Sequence, residues 1–186
     1  MIVLCLSFGI TALADGEKTA RLADQADLLA PSAESSVLAV LDEISDRQQL
    51  DVVVVTTATL DGKTPMAYAD DFYDENGYGF GSGRDGVLLL VSMEDRDWWI
   101  TTSGYGITVF TDAGMDYMSE QFLPALGEGS YEEAFTCFAR LCDQFITQAR
   151  TGAPYDIGAL PKAPFSVGYA LGRALLIGLF AAVIIT

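Results

Sequence analysis

The chain of 186 residues carries 26 acidic and 10 basic side chains, a formal charge of −16, with half its residues apolar and no histidine. That length accommodates one ordinary domain with a real core, and the apolar share argues against a disordered acidic chain. Without histidine there is no Ser-His-Asp or Cys-His catalytic unit and no HExxH zinc helix, and a domain this negative repels nucleic-acid phosphates.

Residues 1–14 are uncharged, hold the run Ile2-Val3-Leu4-Cys5-Leu6, and finish Ala12-Leu13-Ala14 before Asp15. They read as the apolar region and small-x-small cleavage site of a secretory signal peptide. The basic region is absent, so the signal is incomplete or starts further upstream; the competing reading is a buried strand or helix. The stretch Leu22 to Leu29 reads as a loop. Pro31 with Val37, Leu38, Leu41 and Ile44 predicts a first helix, and Asp51 to Thr57 predicts a strand buried on both faces. Pro65 opens a second helix through Met66, Ala69, Phe72 and Tyr73, ended by Asn76-Gly77. Gly86 to Val91 is a second buried strand, and Trp98 to Thr102 returns as its hairpin partner.

After Gly104-Tyr105-Gly106, one helix starts at Thr111-Asp112. Another starts at Ser130, where Ser130-Tyr131-Glu132-Glu133 has capping-box spacing and Phe135, Phe138, Leu141, Cys142, Phe145 and Ile146 form an apolar face. Strand, helix, strand implies a right-handed crossover and a parallel pair, to which the hairpin adds an antiparallel strand. The expected architecture is a small mixed sheet covered by helices.

Residues 152–164, with three prolines, read as a linker. From Phe165 onward the only charge is Arg173, and Ala174 to Ile185 has no polar side chain. Segment 165–186 therefore reads as a C-terminal transmembrane helix. It starts either near Phe165 with Arg173 snorkelling, or near Ala174 and runs on past Thr186; an arginine at mid-bilayer costs at least ~2.5 kcal/mol, which favours the second. Signal 1–14, domain 15–151, linker 152–164 and span 165–186 imply a single-pass protein of the cell membrane with an extracytoplasmic domain. All 26 acids but only 8 bases lie between Asp15 and Pro161, a balance of −18.

Cys137 and Cys142, five apart on one helix, are rotated by ~140° and offset by ~7.5 Å, so they do not pair with each other and read as thiols. Gly81-Ser82-Gly83-Arg84-Asp85-Gly86 matches GxGxxG, but a helix precedes it and a strand follows, the reverse of a dinucleotide fingerprint; no nucleotide cofactor is expected. Asp70 to Gly77 lacks the alternating ligands and closing Glu of an EF-hand.

Asp24 before the first helix, Asp85 before a central strand and Asp112 at a helix start occupy places where loops converge at a sheet edge. Hard cations such as calcium need several such oxygens. The plain alternative is capping for Asp24 and Asp112 and a turn for Asp85.

The stretches Arg21 to Leu29, Asp51 to Thr56, Asp85 to Val91, and Ser103-Gly104-Tyr105-Gly106 with Thr111-Asp112 resemble, in this order, the TPM domain family, which includes a thylakoid lumen phosphatase-like protein and photosystem II repair factors. The resemblance implies an α/β/α sandwich, an exported domain often followed by a membrane helix, and a loop-borne acidic site; some relatives bind calcium or have been assigned acid phosphatase activity. Two departures stand out. Many relatives carry Leu-Glu-Gly after the position of Gly106, where this chain has the shorter Ile107-Thr108-Val109-Phe110. Asp27 replaces a residue that is commonly glycine and adds a candidate ligand to Asp24, Asp85 and Asp112.

The leading expectation is a membrane-anchored domain that binds a divalent cation, calcium by preference, and docks to an envelope or membrane protein, with Trp99 and Tyr105 as aromatic anchors. The alternative is a metal-dependent acid phosphatase-like hydrolase, in which metal and carboxylate would do work done elsewhere by histidine. Adjacent strand residues face opposite sides, so Trp98 and Ile100 are expected to face the core and Trp99, Thr101 and Ser103 the other side.

Overall fold

A computed structural model describes residues 19–161. The expected signal peptide and transmembrane helix lie outside the described residues. Within them the order is β1 (Leu22–Asp24), α1 (Pro31–Gln48), β2 (Asp51–Thr57), α2 (Pro65–Glu75), β3 (Gly86–Ser92), β4 (Asp97–Ser103), α3 (Gly106–Val109), α4 (Asp112–Gly127) and α5 (Tyr131–Thr151). The fold is mixed α/β, four strands and five helices among the described residues.

The apolar runs explain the centre of the sheet. Every residue of β2 and β3 is buried, as strands covered on both faces require. The strand order is β1-β2-β3-β4, with β1, β2 and β3 parallel and β4 antiparallel to β3 in unbroken register from Gly86 opposite Ser103 to Ser92 opposite Asp97. Alternation then sorts the side chains. Val52, Val54, Val87 and Leu89 face α1, α4 and α5, meeting Val37, Leu41, Phe122, Phe138 and Phe145. Val53, Val55, Leu88 and Leu90 face the other way, onto Ala69 and Tyr73 of α2. Each such side chain contributes about 1.5–3 kcal/mol by leaving water, so a polar residue at Val53 or Val54 would break the fold.

Local chemistry sets the helix ends. Pro31 and Pro65 occupy first turns, where no amide hydrogen is needed. The Thr64 hydroxyl accepts the Ala67 N–H at 3.2 Å and the Thr111 hydroxyl accepts the Gly114 N–H at 3.1 Å. Ser130 departs from the expected capping box, because its side chain makes no capping hydrogen bond.

Two further elements differ from the sequence expectation. Leu22–Asp24, read as a loop, is a short edge strand paired with Val54 to Thr56. Gly106–Val109 is a single helical turn in the β4–α4 connection. The strand order steps the same way from β1 to β2 to β3 while α1 and α2 lie on opposite faces. The two crossovers therefore have opposite hands, and one departs from the right-handed rule. Among the described residues no helix is long and apolar enough to cross a membrane.

Candidate functional site

The parallel strands carry Asp24 and Asp85 to opposite ends of the sheet. Asp24 ends β1 in register with Thr56 and Val91. Its carboxylate accepts the Thr56 hydroxyl and, at 2.8 Å, the Leu29 N–H, so it ties the β1–α1 loop to β2. Asp27, in the same loop, is exposed and adopts a left-handed backbone, φ 53°. Asp85 precedes Gly86 at the start of β3, six residues before Val91 and so about 20 Å along the strand. Its Oδ1 accepts the Tyr105 N–H at 2.7 Å, and its carbonyl accepts the N–H groups of Asp51 and Phe80. A side chain on Gly104, φ 56°, would collide with this carboxylate and with the Gly83 carbonyl.

Asp112 stands apart again, in the first turn of α4 beside Met115, Asp116, Trp98 and Ile100. Asp24 and Asp27 are neighbours, but Asp85 and Asp112 join neither them nor each other. Among the described residues no three His, Cys, Asp or Glu side chains converge to hold a metal. A calcium ion takes six to eight oxygens, and the expected set of Asp24, Asp27, Asp85 and Asp112 does not fit one ion.

The tryptophan hairpin is arranged by strand alternation. Trp98 stacks edge-on against Phe122 with centroids 5.7 Å apart, and Ile100 joins the same core. Thr101 on the opposite face donates its hydroxyl to Asp70 of α2. Trp99 shares that face and is 40% exposed, because α2 begins with Thr64-Pro65-Met66 and covers it only in part. Met66, itself 50% exposed, lies in the same cleft. The cleft, about 660 Å³, runs between the first turns of α2 and α4 along β4; Trp98, Trp99, Ile100, Met66 and Met115 supply its apolar walls and Asp97, Asp112 and Asp116 its charges. No base lines it.

Tyr105 does not join Trp99. It packs on the α5 side, under the Arg150 guanidinium at 5.8 Å from its ring centre, beyond the far end of β4. The two expected anchors, Trp99 and Tyr105, therefore do not share one surface; Trp99 lies instead beside Met66. Met66 is the partner that sequence reading missed, and its place in the first turn after Pro65 was the available signal.

Sequence reading also passed over Arg21. This guanidinium is 1% exposed and bonds Asp42 and Asp46 of α1 at 2.8 and 2.9 Å and Asp51 of β2 at 3.0 Å. Burial pulls its pKa down, but the hydrogen bonds to Asp46, Asp42 and Asp51 outweigh that and hold it above the ordinary value. Arg47, Lys63 and Arg84 are likewise paired with Glu43 and Asp143, Asp71, and Asp74. Four of the seven bases among the described residues are therefore paired with the domain's own acids. Cys137 and Cys142 are both free, and burial raises the Cys142 thiol well above its usual range.

A family model described as the TPM domain matches residues 22–144, two thirds of the chain. The chain belongs to the TPM domain family. No curated protein matches it. Among solved structures it is similar to the N-terminal domain of a P. gingivalis protein (19% identity, TM-score 0.61, covering 76% of this chain and 90% of that one). The N-terminal domain of protein cg2496 from Corynebacterium glutamicum is also similar (17% identity, TM-score 0.54, 88% and 97% covered). So is the BA42 protein of the psychrophilic bacterium Bizionia argentinensis (15% identity, TM-score 0.58, 73% and 91% covered). At such identities the likeness is one of fold.

Proposed function

We propose that this TPM domain is an interaction module displayed outside the cytoplasm, exported by segment 1–14, tethered by segment 165–186, and docking to another envelope protein through the cleft beside β4. The observation that carries this reading is Trp99, two fifths exposed beside the half-exposed Met66 in an apolar cleft with an acidic rim. Aromatic side chains on the rim of such a cleft are the usual anchors of protein interfaces.

Phosphoryl chemistry fits less well. An anionic substrate would have to approach a domain with a balance of −18, and the four candidate ligands do not converge on one ion.

The test places a photoreactive residue at Met66 in the full chain, in membranes of intact cells. The expected result is a discrete adduct with an envelope protein, lost with Trp99→Ala, and removal of the domain by external protease. No adduct, together with aryl phosphate turnover dependent on an added divalent cation, would move the function to hydrolysis.

A further inference from the structure

β4 is an edge strand, and its unpaired side can be identified from hydrogen bonds elsewhere in the sheet. The Met93 N–H donates to the Thr57 carbonyl at 3.0 Å, and the Asp85 carbonyl accepts the Asp51 N–H at 3.0 Å. Odd-numbered residues of β3 therefore turn their backbone toward β2. Even-numbered ones, Gly86, Leu88, Leu90 and Ser92, bond β4 through their partners Ser103, Thr101, Trp99 and Asp97. It follows that Trp98, Ile100 and Thr102 direct both backbone groups away from the sheet. The Trp98 N–H is taken by the carboxylate of Asp97 at 2.9 Å, whereas the outward groups of Ile100 and Thr102 meet no partner among the described residues.

An unpaired edge is a template for another strand, and proteins ordinarily blunt it with lysines, prolines or a covering helix. Here the edge carries no lysine or proline, and the cleft between α2 and α4 opens directly onto it. A strand added at ~4.8 Å from β4 would turn alternate side chains toward Trp99 and Met66 on one face and toward Ile100 and Met115 on the other.

Charge selects the occupant. A second copy would bring Asp97, Asp112 and Asp116 against the same three acids across a two-fold axis, and one domain with a balance of −18 against another. Like charges placed opposite one another across strands are destabilising. We infer that the β4 edge takes up an extended, lysine- or arginine-bearing segment of a partner protein as a fifth strand, with apolar side chains alternating into the cleft. This rests on the interaction reading and adds to it the binding mode and the chemistry of the partner.

The test uses the full chain in detergent micelles and fluorescently labelled peptides of the length of β4, 7 residues. One peptide alternates lysine and valine, one alternates glutamate and valine, and a third repeats the lysine sequence with alternate backbone nitrogens methylated, which keeps the charge but removes strand pairing. The lysine peptide is expected to bind. The methylated peptide, and the Thr102→Pro variant, which deletes one outward N–H while sparing every bond to β3, should each weaken binding at least tenfold. Equal binding of plain and methylated peptides would reduce the effect to charge alone and overturn the strand mode. Equal binding of glutamate and lysine peptides, or a dimer dispersed by Thr102→Pro, would overturn the assignment of the partner. A crosslink at Met66 in cells, without sensitivity to methylation, would leave the interaction reading standing and remove only the added strand.

Discussion

Arg21 shows how a domain this acidic retains a buried cation. Its guanidinium has Asp42 and Asp46 on the solvent side and Asp51, mostly buried, on the inner side, where the other Asp51 oxygen accepts the Gly79 N–H at 2.9 Å. Removing the arginine strands the buried Asp51 charge, whereas Asp42 and Asp46 face solvent. Arg21→Met is therefore expected to cost about 3–5 kcal/mol in urea denaturation. Adding Asp51→Asn should return part of that loss, because the amide oxygen still accepts from Gly79 without carrying a buried charge. A double variant no more stable than Arg21→Met would mean that the arginine works through packing alone. The two tryptophans form a second contrast at this scale. Trp98→Ala loses the edge contact with Phe122 and should cost ~3 kcal/mol, while Trp99→Ala should cost less, ~1 kcal/mol, since that residue keeps two fifths of its surface in water. Equal losses would place Trp99 in the core and remove it as a docking anchor.

Among the elements, caps separate what residue type announces from what geometry delivers. Thr64 and Thr111 accept hydrogen bonds from the third residue after them, and Thr111 also donates to the Tyr155 carbonyl at 2.8 Å. Their replacement by alanine should lower stability by ~1 kcal/mol each, with Thr111 the costlier. Ser130 has the same sequence signature, but with ψ 63° its hydroxyl makes no such bond, and Ser130→Ala is expected to be near neutral. Thermal melts of the three variants side by side would check this; a loss at Ser130 matching that at Thr111 would show a cap in solution. The same distinction marks what was legible in the sequence. The β-branched and leucine runs of β2 and β3, the proline-led helices and the alternation that parts Trp98 from Trp99 are local signals, and each was readable. β1 has three residues, too few for periodicity, and the opposite hands of its crossover and the next depend on which face each helix covers. The aspartates illustrate the limit most clearly. Asp24 and Asp85 each sit at a strand end, but whether those ends meet is fixed by strand direction and register, which spacing does not encode.

At the scale of the whole molecule, the buried acids that are not carboxylates govern the response to pH. The Tyr78 hydroxyl donates to the Ala20 carbonyl at 2.7 Å, and burial with the nearby Asp51 pushes its pKa up to about 12. Burial and Asp51 likewise raise Tyr73, and burial raises Cys142. All three are held neutral in the fold, against ordinary values of 10.0 for tyrosine and 9.0 for cysteine. Their contribution to stability is therefore complete below those values and is lost as pH rises through the folded ones. On the acid side, desolvation would raise Asp143, but hydrogen bonds from Arg47 and Gln48 hold it below the usual carboxylate range. Its contribution is present above 3.8 and is lost as pH falls, yet the same fall discharges the −18 balance and relieves repulsion, so the acid limb should be shallow. The melting temperature is expected to be flat from about pH 5 to 9, to fall only gently below that range and to drop steeply above it. Cys142 leaves the neutral form first on unfolding, so Cys142→Ala should shift the onset of that drop upward, toward the tyrosine range, at the cost of some packing at neutral pH. A variant whose melting temperature falls from the same pH as the parent would show that the alkaline limb belongs to the tyrosines and to growing charge repulsion, with no share from the thiol.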